Sequence, residues 1–329
     1  MNPHPFAEYI RILGRGKNGS RSLTRDEARE AFSLVLTNTV EDVQLGAFLM
    51  LLRVKEETGE EIAGFVEATR AQLHAPDDVR VDIDWSCYAG KRRHNPWFVL
   101  SALALAQAGY KVFMHGAQGH TAGRVYAENA FAELGLPIAQ NWQQVGTAIN
   151  DHNIVYFPIS SLCPRIHQLI ELRPLMGLRS PVHTLSRLIN PLSANAVVQG
   201  IFHPAYNGIH QQAAGHLGYQ STLVIRGEGG EFERNPESRV TLYRVINGIE
   251  STVDMEPVLK QRQIKPETLD LQLMKSIWCG DQYDTYAEAA IESTLQLTLM
   301  TINPELTADQ ATINAAEIWS NRQRQTLKL

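Results

Sequence analysis

The spacing of apolar residues changes near residue 76, and this change most constrains the fold. From residue 6 to about residue 73, apolar side chains recur every three or four residues, which predicts several amphipathic helices. Two capping boxes are predicted at helix starts: Thr24 with Glu27, and Thr58 with Glu61. Pro76-Asp77-Asp78 then interrupts the pattern and predicts a linker.

After the linker, short apolar strands alternate with helices. Strands are predicted at residues 79–83, 110–115, 153–158, 195–203 and 221–226. Strands separated by helices are typical of a parallel sheet with right-handed crossovers. Residues 240–245 are predicted to add an antiparallel edge strand, and residues 257–329 are predicted to be mainly helical. The chain therefore predicts a small all-helical part followed by a larger α/β part.

The composition is that of an ordinary globular protein, but the charged residues are unevenly distributed along the sequence. Its 329 residues are 44% hydrophobic and 20% charged, which is enough to bury a large core. The net charge of −5 argues against a general polyanion binder, but residues 1–25 carry five Lys or Arg against one Glu. Arg15 and Lys17 of this stretch are a candidate basic patch, or else a solvated flank. Three widely spaced cysteines and the lack of a run of ~20 apolar residues indicate a cytoplasmic protein with no membrane span.

Lys91, Arg92 and Arg93 stand where a strand ends and an apolar helix begins. Cations are unfavourable beside the positive N-terminus of a helix, so we expect an anionic partner for them. The alternative is that these side chains extend into solvent beside a loop. Tyr88 lies close enough in sequence to be a candidate for stacking on a nucleic-acid base.

Five segments further constrain the family: Leu-Thr-Arg-Asp-Glu-Ala at 23–28, Gly-Ala-Phe-Leu at 46–49, Glu-Glu-Ile-Ala-Gly-Phe at 60–65, Arg-Pro-Leu-Met-Gly-Leu-Arg-Ser at 173–180, and Asn-Pro at 190–191. Together they resemble the anthranilate phosphoribosyltransferases of glycosyl transferase family 3. The resemblance implies a helical domain over residues 1–75, completed by helices around 165–190. It implies that this domain is hinged to an α/β domain over residues 76–329 with a mostly parallel central sheet, as in nucleoside phosphorylases.

The motifs that bind phosphoribosyl pyrophosphate (PRPP) in that family are missing here. Ser-Cys-Tyr-Ala-Gly at 86–90 replaces the glycine-rich pyrophosphate loop, where only glycine permits close backbone approach. Pro-Trp-Phe-Val at 96–99 replaces Asn-x-Ser-Thr, and Met-His-Gly-Ala at 114–117 replaces Lys-His-Gly-Asn. Phe232-Glu233 replaces the Asp-Glu pair that holds magnesium. Without this electrostatic clamp we expect no anthranilate phosphoribosyltransferase activity, no metal site and no catalytic residue.

The resemblance also places several cations near the interdomain cleft. They are Lys91, Arg92, Arg93, Arg124, Arg165, Arg173, Arg179 and Arg187. Three features resemble a second, divergent branch of the family. They are the absence of the PRPP motifs, the segment Gly-Arg-Gly-Lys-Asn at 14–18 and the segment Arg-Ser-Pro-Val-His-Thr-Leu at 179–185. Members of that branch are regarded as nucleic-acid-binding proteins.

The resemblance therefore implies a homodimer, paired through the helical domain, that binds DNA or RNA in a basic interdomain groove without sequence preference. Two alternatives remain open. The first is a phosphoribosyl or glycosyl transferase with an altered substrate site, which would use magnesium with PRPP. The second is a scaffold whose cations bind protein carboxylates.

Overall fold

The computed structural model describes residues 4–16, 18–119 and 121–327. Its N-terminal part is helical, as predicted, with α1 (Ala7–Gly14), α2 (Arg25–Leu36), α3 (Asp42–Lys55) and α4 (Gly59–Arg70). Both predicted capping boxes are present, at the starts of α2 and α4. The rings of Phe6, Phe48 and Phe65 pack in the centre, with successive centroids 5.1 and 6.1 Å apart.

The remainder is built on one seven-stranded sheet, which confirms the predicted fold class. Its strands are β1 (Ile83–Cys87), β2 (Val112–Gly116), β3 (Ile154–Pro158), β4 (Ala196–Ile201), β5 (Ser221–Arg226), β6 (Val240–Ile246) and β7 (Ile249–Met255). The spatial order is β3-β2-β1-β4-β5-β6-β7. The first five of these strands in that order are parallel, and β6 and β7 are antiparallel additions.

Helices cover both faces of the sheet. Those between the strands and after them are α5 (Phe98–Gln107), α6 (Ala127–Leu134), α7 (Trp142–His152), α8 (Ile159–Leu162), α9 (Pro164–Glu171), α10 (Arg173–Met176), α11 (Val182–Leu185), α12 (Tyr206–His216), α13 (Leu271–Cys279), α14 (Thr285–Ile302) and α15 (Ala308–Ser320). Successive residues of β2 point to opposite faces, so Phe113 joins one apolar core while Val112 and Met114 join the other. The first core merges with that of the N-terminal helices, and the second packs under α5, α13, α14 and α15.

Two strand predictions differ from the structure. The first strand covers residues 83–87 rather than 79–83, so Ser86 and Cys87 belong to a buried strand and not to a loop. The edge of the sheet is β7, which the sequence analysis did not predict, and β6 is therefore an inner strand. Of the helices in the described part of the chain, none is both long enough and apolar enough to cross a bilayer.

Candidate anion-binding site

The candidate site lies at the carboxyl ends of the parallel strands, the edge at which open α/β sheets commonly bind ligands. The loop after β1 meets the loop after β5 there. The two loops approach closely because a glycine allows it: a Cβ on Gly229 would lie 2.4 Å from the carbonyl oxygen of Gly90. The β5 loop is itself compact, since a Cβ on Gly200, in β4, would lie 2.0 Å from the carbonyl carbon of Glu231.

Three glutamates of the β5 loop turn inward and accept hydrogen bonds from the β1 loop. Oε1 of Glu231 accepts from the backbone N–H groups of Ala89, at 2.7 Å, and of Gly90. Oε1 of Glu228 accepts from the N–H groups of Arg92 and Arg93, at 2.9 and 2.6 Å. Oε2 of Glu233 accepts from the N–H group of Phe98, the first residue of α5, at 2.9 Å. We call Glu228, Glu231 and Glu233 the internal carboxylates.

The internal carboxylates accept hydrogen bonds from the backbone N–H groups that a phosphate would use. Backbone N–H groups in a strand-to-helix loop, and the first N–H groups of a helix, are common phosphate ligands. Here five such groups already bond to the chain's own carboxylates. In the segment that replaces the family's pyrophosphate loop, these backbone N–H groups therefore have hydrogen-bond acceptors without a ligand.

Lys91 is part of this internal network, which corrects the prediction that it contacts an external phosphate. Its side chain is 1% exposed, and its Nζ lies 2.5 Å from Oε1 of Glu233 and 3.1 Å from Oε2 of Glu228. Burial opposes the charge on Lys91, but the two carboxylates outweigh this effect and raise its pKa. Lys91 therefore remains a cation whose charge is balanced inside the protein.

The prediction that Tyr88 stacks on a base is also corrected by its burial. Tyr88 is 3% exposed, and its hydroxyl lies 2.8 Å from Nδ1 of His115. Nε2 of His115 lies 3.2 Å from Oδ1 of Asp84, so the three side chains form a buried polar chain. The guanidinium of Arg187 lies 5.8 Å from the centroid of the Tyr88 ring. An enclosed ring offers no face to a nucleic-acid base.

The residues present do not fit a magnesium site. Phe232 stands where the family has an aspartate, and its ring packs edge-on against Trp85, with centroids 5.4 Å apart. Glu233, its neighbour, is bound to Lys91. Throughout residues 4–16, 18–119 and 121–327, no three His, Cys, Asp or Glu side chains are grouped so that they could hold a metal ion.

Four of the predicted arginines come together beside the β1 loop. This arginine cluster consists of Arg124, Arg173, Arg179 and Arg187. Burial and the positive charges of the other three members lower the pKa of Arg179 to about 10. Nη1 of Arg124 donates to the carbonyl of Ala89 at 2.7 Å, and Nε of Arg187 donates to the carbonyl of Gly200 at 3.0 Å. Three cations close enough to lower the pKa of a fourth create a positive potential that favours an anion.

Arg165 and Arg15 lie outside this cluster. Nε of Arg165 donates to the carbonyl of Val35 at 3.1 Å, so this residue ties α9 to α2. Arg15 is exposed just beyond the end of α1. Lys17 lies outside the described residues.

A cationic groove with a volume of about 1030 Å³ opens outward from the two loops. Seven cations line it: Arg92, Arg93, Arg124, Arg226, Arg239, Arg262 and Lys265. Among the described residues, Glu228 and Glu237 are the carboxylates that line it. Glu228 bonds inward, and Oε1 of Glu237 accepts from the N–H group of Gln263. We refer to this feature as the cationic groove.

Sequence reasoning missed four of these cations: Arg226, Arg239, Arg262 and Lys265. They are scattered over forty residues, and Glu228, Glu231 and Glu233 lie among them in sequence. With these glutamates among them, the four cations do not form a basic cluster in the sequence. In the fold Glu231 and Glu233 are 0% and 2% exposed, so their charges point away from the groove while the arginines face it.

Comparison with known proteins covers most of the chain. Residues 7–73 match the helical bundle domain of a glycosyl transferase family, and residues 98–328 match the a/b domain of such a family. An Escherichia coli (strain K12) protein named uncharacterized protein YbiB is 30% identical over 70% of this chain and 73% of its own. An anthranilate phosphoribosyltransferase of Natronomonas pharaonis is 32% identical over 68% of this chain and 66% of its own.

Solved structures show the same fold at lower identity. The anthranilate phosphoribosyltransferase of Thermus thermophilus superposes with a TM-score of 0.79 over 98% of this chain and 99% of its own, at 20% identity. The Saccharomyces cerevisiae enzyme in complex with PRPP and Mg also gives a TM-score of 0.79, over 98% of this chain and 96% of its own, at 16% identity.

Proposed function

The chain belongs to the glycosyl transferase family that has a helical bundle domain and an a/b domain, and on this scaffold we propose that it binds nucleic acid. The binding is through the phosphate backbone and does not depend on base sequence. The observation that carries the proposal is the cationic groove, which is lined by seven Lys and Arg side chains and two carboxylates. Both carboxylates accept hydrogen bonds from backbone N–H groups, and among the cations Arg239 is paired with Asp254 at 2.8 Å, so the lining retains a net positive charge.

Binding of a phosphate depends on the local charge of the cationic groove more than on the net charge of the protein. At physiological ionic strength charges are screened over about 8 Å, so a phosphate in the groove interacts with the lining cations more than with the distant acidic surface. Each Lys or Arg that contacts a phosphate releases condensed counterions, which gives affinity that falls as salt rises. Contacts of this kind position a strand but do not read its sequence.

The arginine cluster supports the same proposal. Arg124 belongs both to the cluster and to the lining of the groove, so the two positive regions are continuous. A chain of phosphates spaced several ångströms apart can neutralise both regions at once, whereas a single small anion can neutralise only one. The arrangement therefore favours an extended polyanion.

A second candidate is a phosphoribosyl or glycosyl transferase with an altered substrate site. The relatives support it more directly than they support nucleic-acid binding, because several similar proteins are named anthranilate phosphoribosyltransferase. The geometry disfavours binding of PRPP at the position it takes in the family, because the backbone N–H groups there already donate hydrogen bonds to the internal carboxylates. Bringing a pyrophosphate beside them would place like charges together.

One pair of measurements separates the two candidates. Labelled single-stranded and double-stranded oligonucleotides of unrelated sequence are titrated with the protein at two salt concentrations in a mobility-shift assay. The melting temperature is then measured with and without millimolar PRPP and magnesium. Retardation that weakens with salt, together with an unchanged melting temperature, is expected. A melting temperature raised by PRPP and magnesium, without retardation of any oligonucleotide, would establish the transferase candidate instead.

We also infer a homodimer formed through the N-terminal helices. One face of α3 carries Val43, Ala47, Met50 and Val54, spaced at helical intervals. Val43 and Val54 are each 80% exposed, which is unusual for apolar side chains on the same face of a helix. A second copy of the chain would cover this face, and two cationic grooves on one particle would then increase avidity for a long strand.

A further inference from the structure

One exposed aromatic side chain lies within the cationic groove. Phe202 follows β4, lines the groove and is 45% exposed. The backbone just before Phe202 is held by the β5 loop, because the N–H group of Gly227 donates to the carbonyl of Ile201 at 2.9 Å. Residues 195–203 are predicted as a strand from the sequence, and Phe202 is not among the predicted site residues.

The surroundings of Phe202 are cationic. Its backbone nitrogen lies 3.4 Å from the position that a Cβ on Gly230 would take, and Nη1 of Arg124 lies 2.8 Å from the corresponding position on Gly229. The Phe202 backbone and this guanidinium thus lie beside the same two-glycine turn. Arg92, Arg93 and Arg226 line the same groove.

Tyr243 also lines the groove and is partly exposed, but three other aromatic rings near it are enclosed. The rings of His94 and Tyr286 stack on each other at 3.7 Å with an interplanar angle of 8°, and the two residues are 7% and 5% exposed. Tyr88 is buried against His115. In contrast, the His203 ring meets Phe202 edge-on, at 86°, and does not stack on it.

We propose that Phe202 stacks on a base of single-stranded nucleic acid whose phosphates lie on the surrounding arginines. This inference rests on the proposed function and specifies its substrate as single strands. Proteins that bind single strands without sequence preference combine a basic groove with aromatic rings on which bases stack. The bases of a duplex are already stacked on one another and shielded by the backbone, so Phe202 gains nothing from a duplex.

The test uses three probes with the same number of phosphates per strand. They are a thymidine oligonucleotide, an abasic strand of equal length, and a duplex of mixed sequence. Their dissociation constants are measured for the full-length protein and for Phe202→Ala and Phe202→Tyr. Tyr283→Ala is the matched control, because Tyr283 is 75% exposed and is not among the residues that line the groove.

Phe202→Ala is expected to weaken binding of the thymidine strand about fivefold or more, because loss of one stacking contact is worth at least that factor. The same variant should bind the abasic strand and the duplex as the unmodified protein does. Phe202→Tyr should retain the affinity for the thymidine strand, and Tyr283→Ala should match the unmodified protein on every probe.

Two results would overturn the inference in distinguishable ways. If Phe202→Ala binds the thymidine strand normally while removal of groove arginines weakens it, the stacking role is wrong and nucleic-acid binding stands. If the unmodified protein binds none of the three probes at low salt, the proposed function fails, and the role of Phe202 fails with it.

Discussion

The side-chain nitrogen of Lys91 lies 2.5 Å from a carboxylate oxygen of Glu233, and both side chains are 1% exposed. Arg92, the next residue in the sequence, points into the cationic groove. These adjacent cations therefore have different roles: Lys91 neutralises internal carboxylates, whereas Arg92 contributes positive charge to the surface of the cationic groove. The two roles can be separated by substitution.

Replacing Lys91 by methionine should reduce the free energy of unfolding by about 3–5 kcal/mol, because Glu233 would remain as an uncompensated buried charge. Chemical denaturation measures this. The double variant Lys91→Met with Glu233→Gln should recover part of the loss, since the amide oxygen still accepts from Phe98 while the charge is gone. Arg92→Ala, an exposed control, should stay within about 0.5 kcal/mol of the unmodified protein. A Lys91→Met variant as stable as Arg92→Ala would contradict the internal role.

The double variant Arg92→Ala with Arg93→Ala should weaken oligonucleotide binding. It should also flatten the plot of log affinity against log salt by about one to two units for duplex DNA, since each lost phosphate contact removes about 0.9. Titrations at several salt concentrations measure the slope. Arg80→Ala is the matched control, because Arg80 is exposed just before β1, at the opposite edge of the sheet. Equal slopes for the double variant and the unmodified protein would exclude these two side chains as phosphate contacts.

Stability should decrease as the pH falls from about 6.5 to about 4 because of His94. Burial, followed by the charge of Lys91, lowers the pKa of His94 from 6.5 to about 4. Within this range the unfolded chain binds a proton that the folded protein does not, so acid favours unfolding, by about 3 kcal/mol over the full window. The charged side chains that act on His94 include Glu228, Glu237 and Lys265.

Urea denaturation at a series of pH values tests the role of His94. His94→Phe keeps an aromatic ring against Tyr286 and removes the titrating group, so its stability should change less between pH 6.5 and 4. His216→Gln, at an exposed position, should reproduce the profile of the unmodified protein. An identical profile for His94→Phe would assign the acid sensitivity to other groups.

Replacing Val43 and Val54 by aspartate should convert the inferred dimer into a monomer, because two charges would be buried in the apolar contact. Sedimentation velocity or light scattering across a concentration series measures the mass. Ile313→Asp is a suitable control, since Ile313 is 58% exposed on α15, away from the N-terminal helices. A monomeric unmodified protein would refute the inferred dimer, and a dimeric double variant would refute its interface.

Periodicity and capping predict much of this fold, because they report local physics. The capping boxes of α2 and α4 form as predicted, and four of the five parallel strands lie close to their predicted positions. The edge strand β7 was missed because its seven residues are almost all exposed and Ser251 interrupts the apolar face formed by Ile249, Val253 and Met255. A local signal was present nonetheless: Asn247-Gly248 has positive φ at both residues, 49° and 80°, as a tight hairpin turn requires.

The candidate site was less predictable, because side-chain direction depends on tertiary contacts. Lys91 and Arg92 differ by one position and have similar chemistry, yet only the return of the β5 loop decides which one is enclosed. Likewise, Arg226 and Arg262 meet in one groove only after the sheet and the following loop have folded. The sequence indicated that positive charge gathers near the β1 loop but not which members of each cluster face the solvent.

The internal carboxylates also restrict how this chain could evolve. Removing one glutamate alone would leave backbone amides without an acceptor or, at Glu233, leave Lys91 with weaker compensation, so every first step toward an empty phosphate cradle is destabilising. Regaining such a cradle requires several changes together, each of which is harmful by itself. The positions of the internal carboxylates are therefore epistatic, and we expect the loss of the phosphate cradle to be hard to reverse by single substitutions.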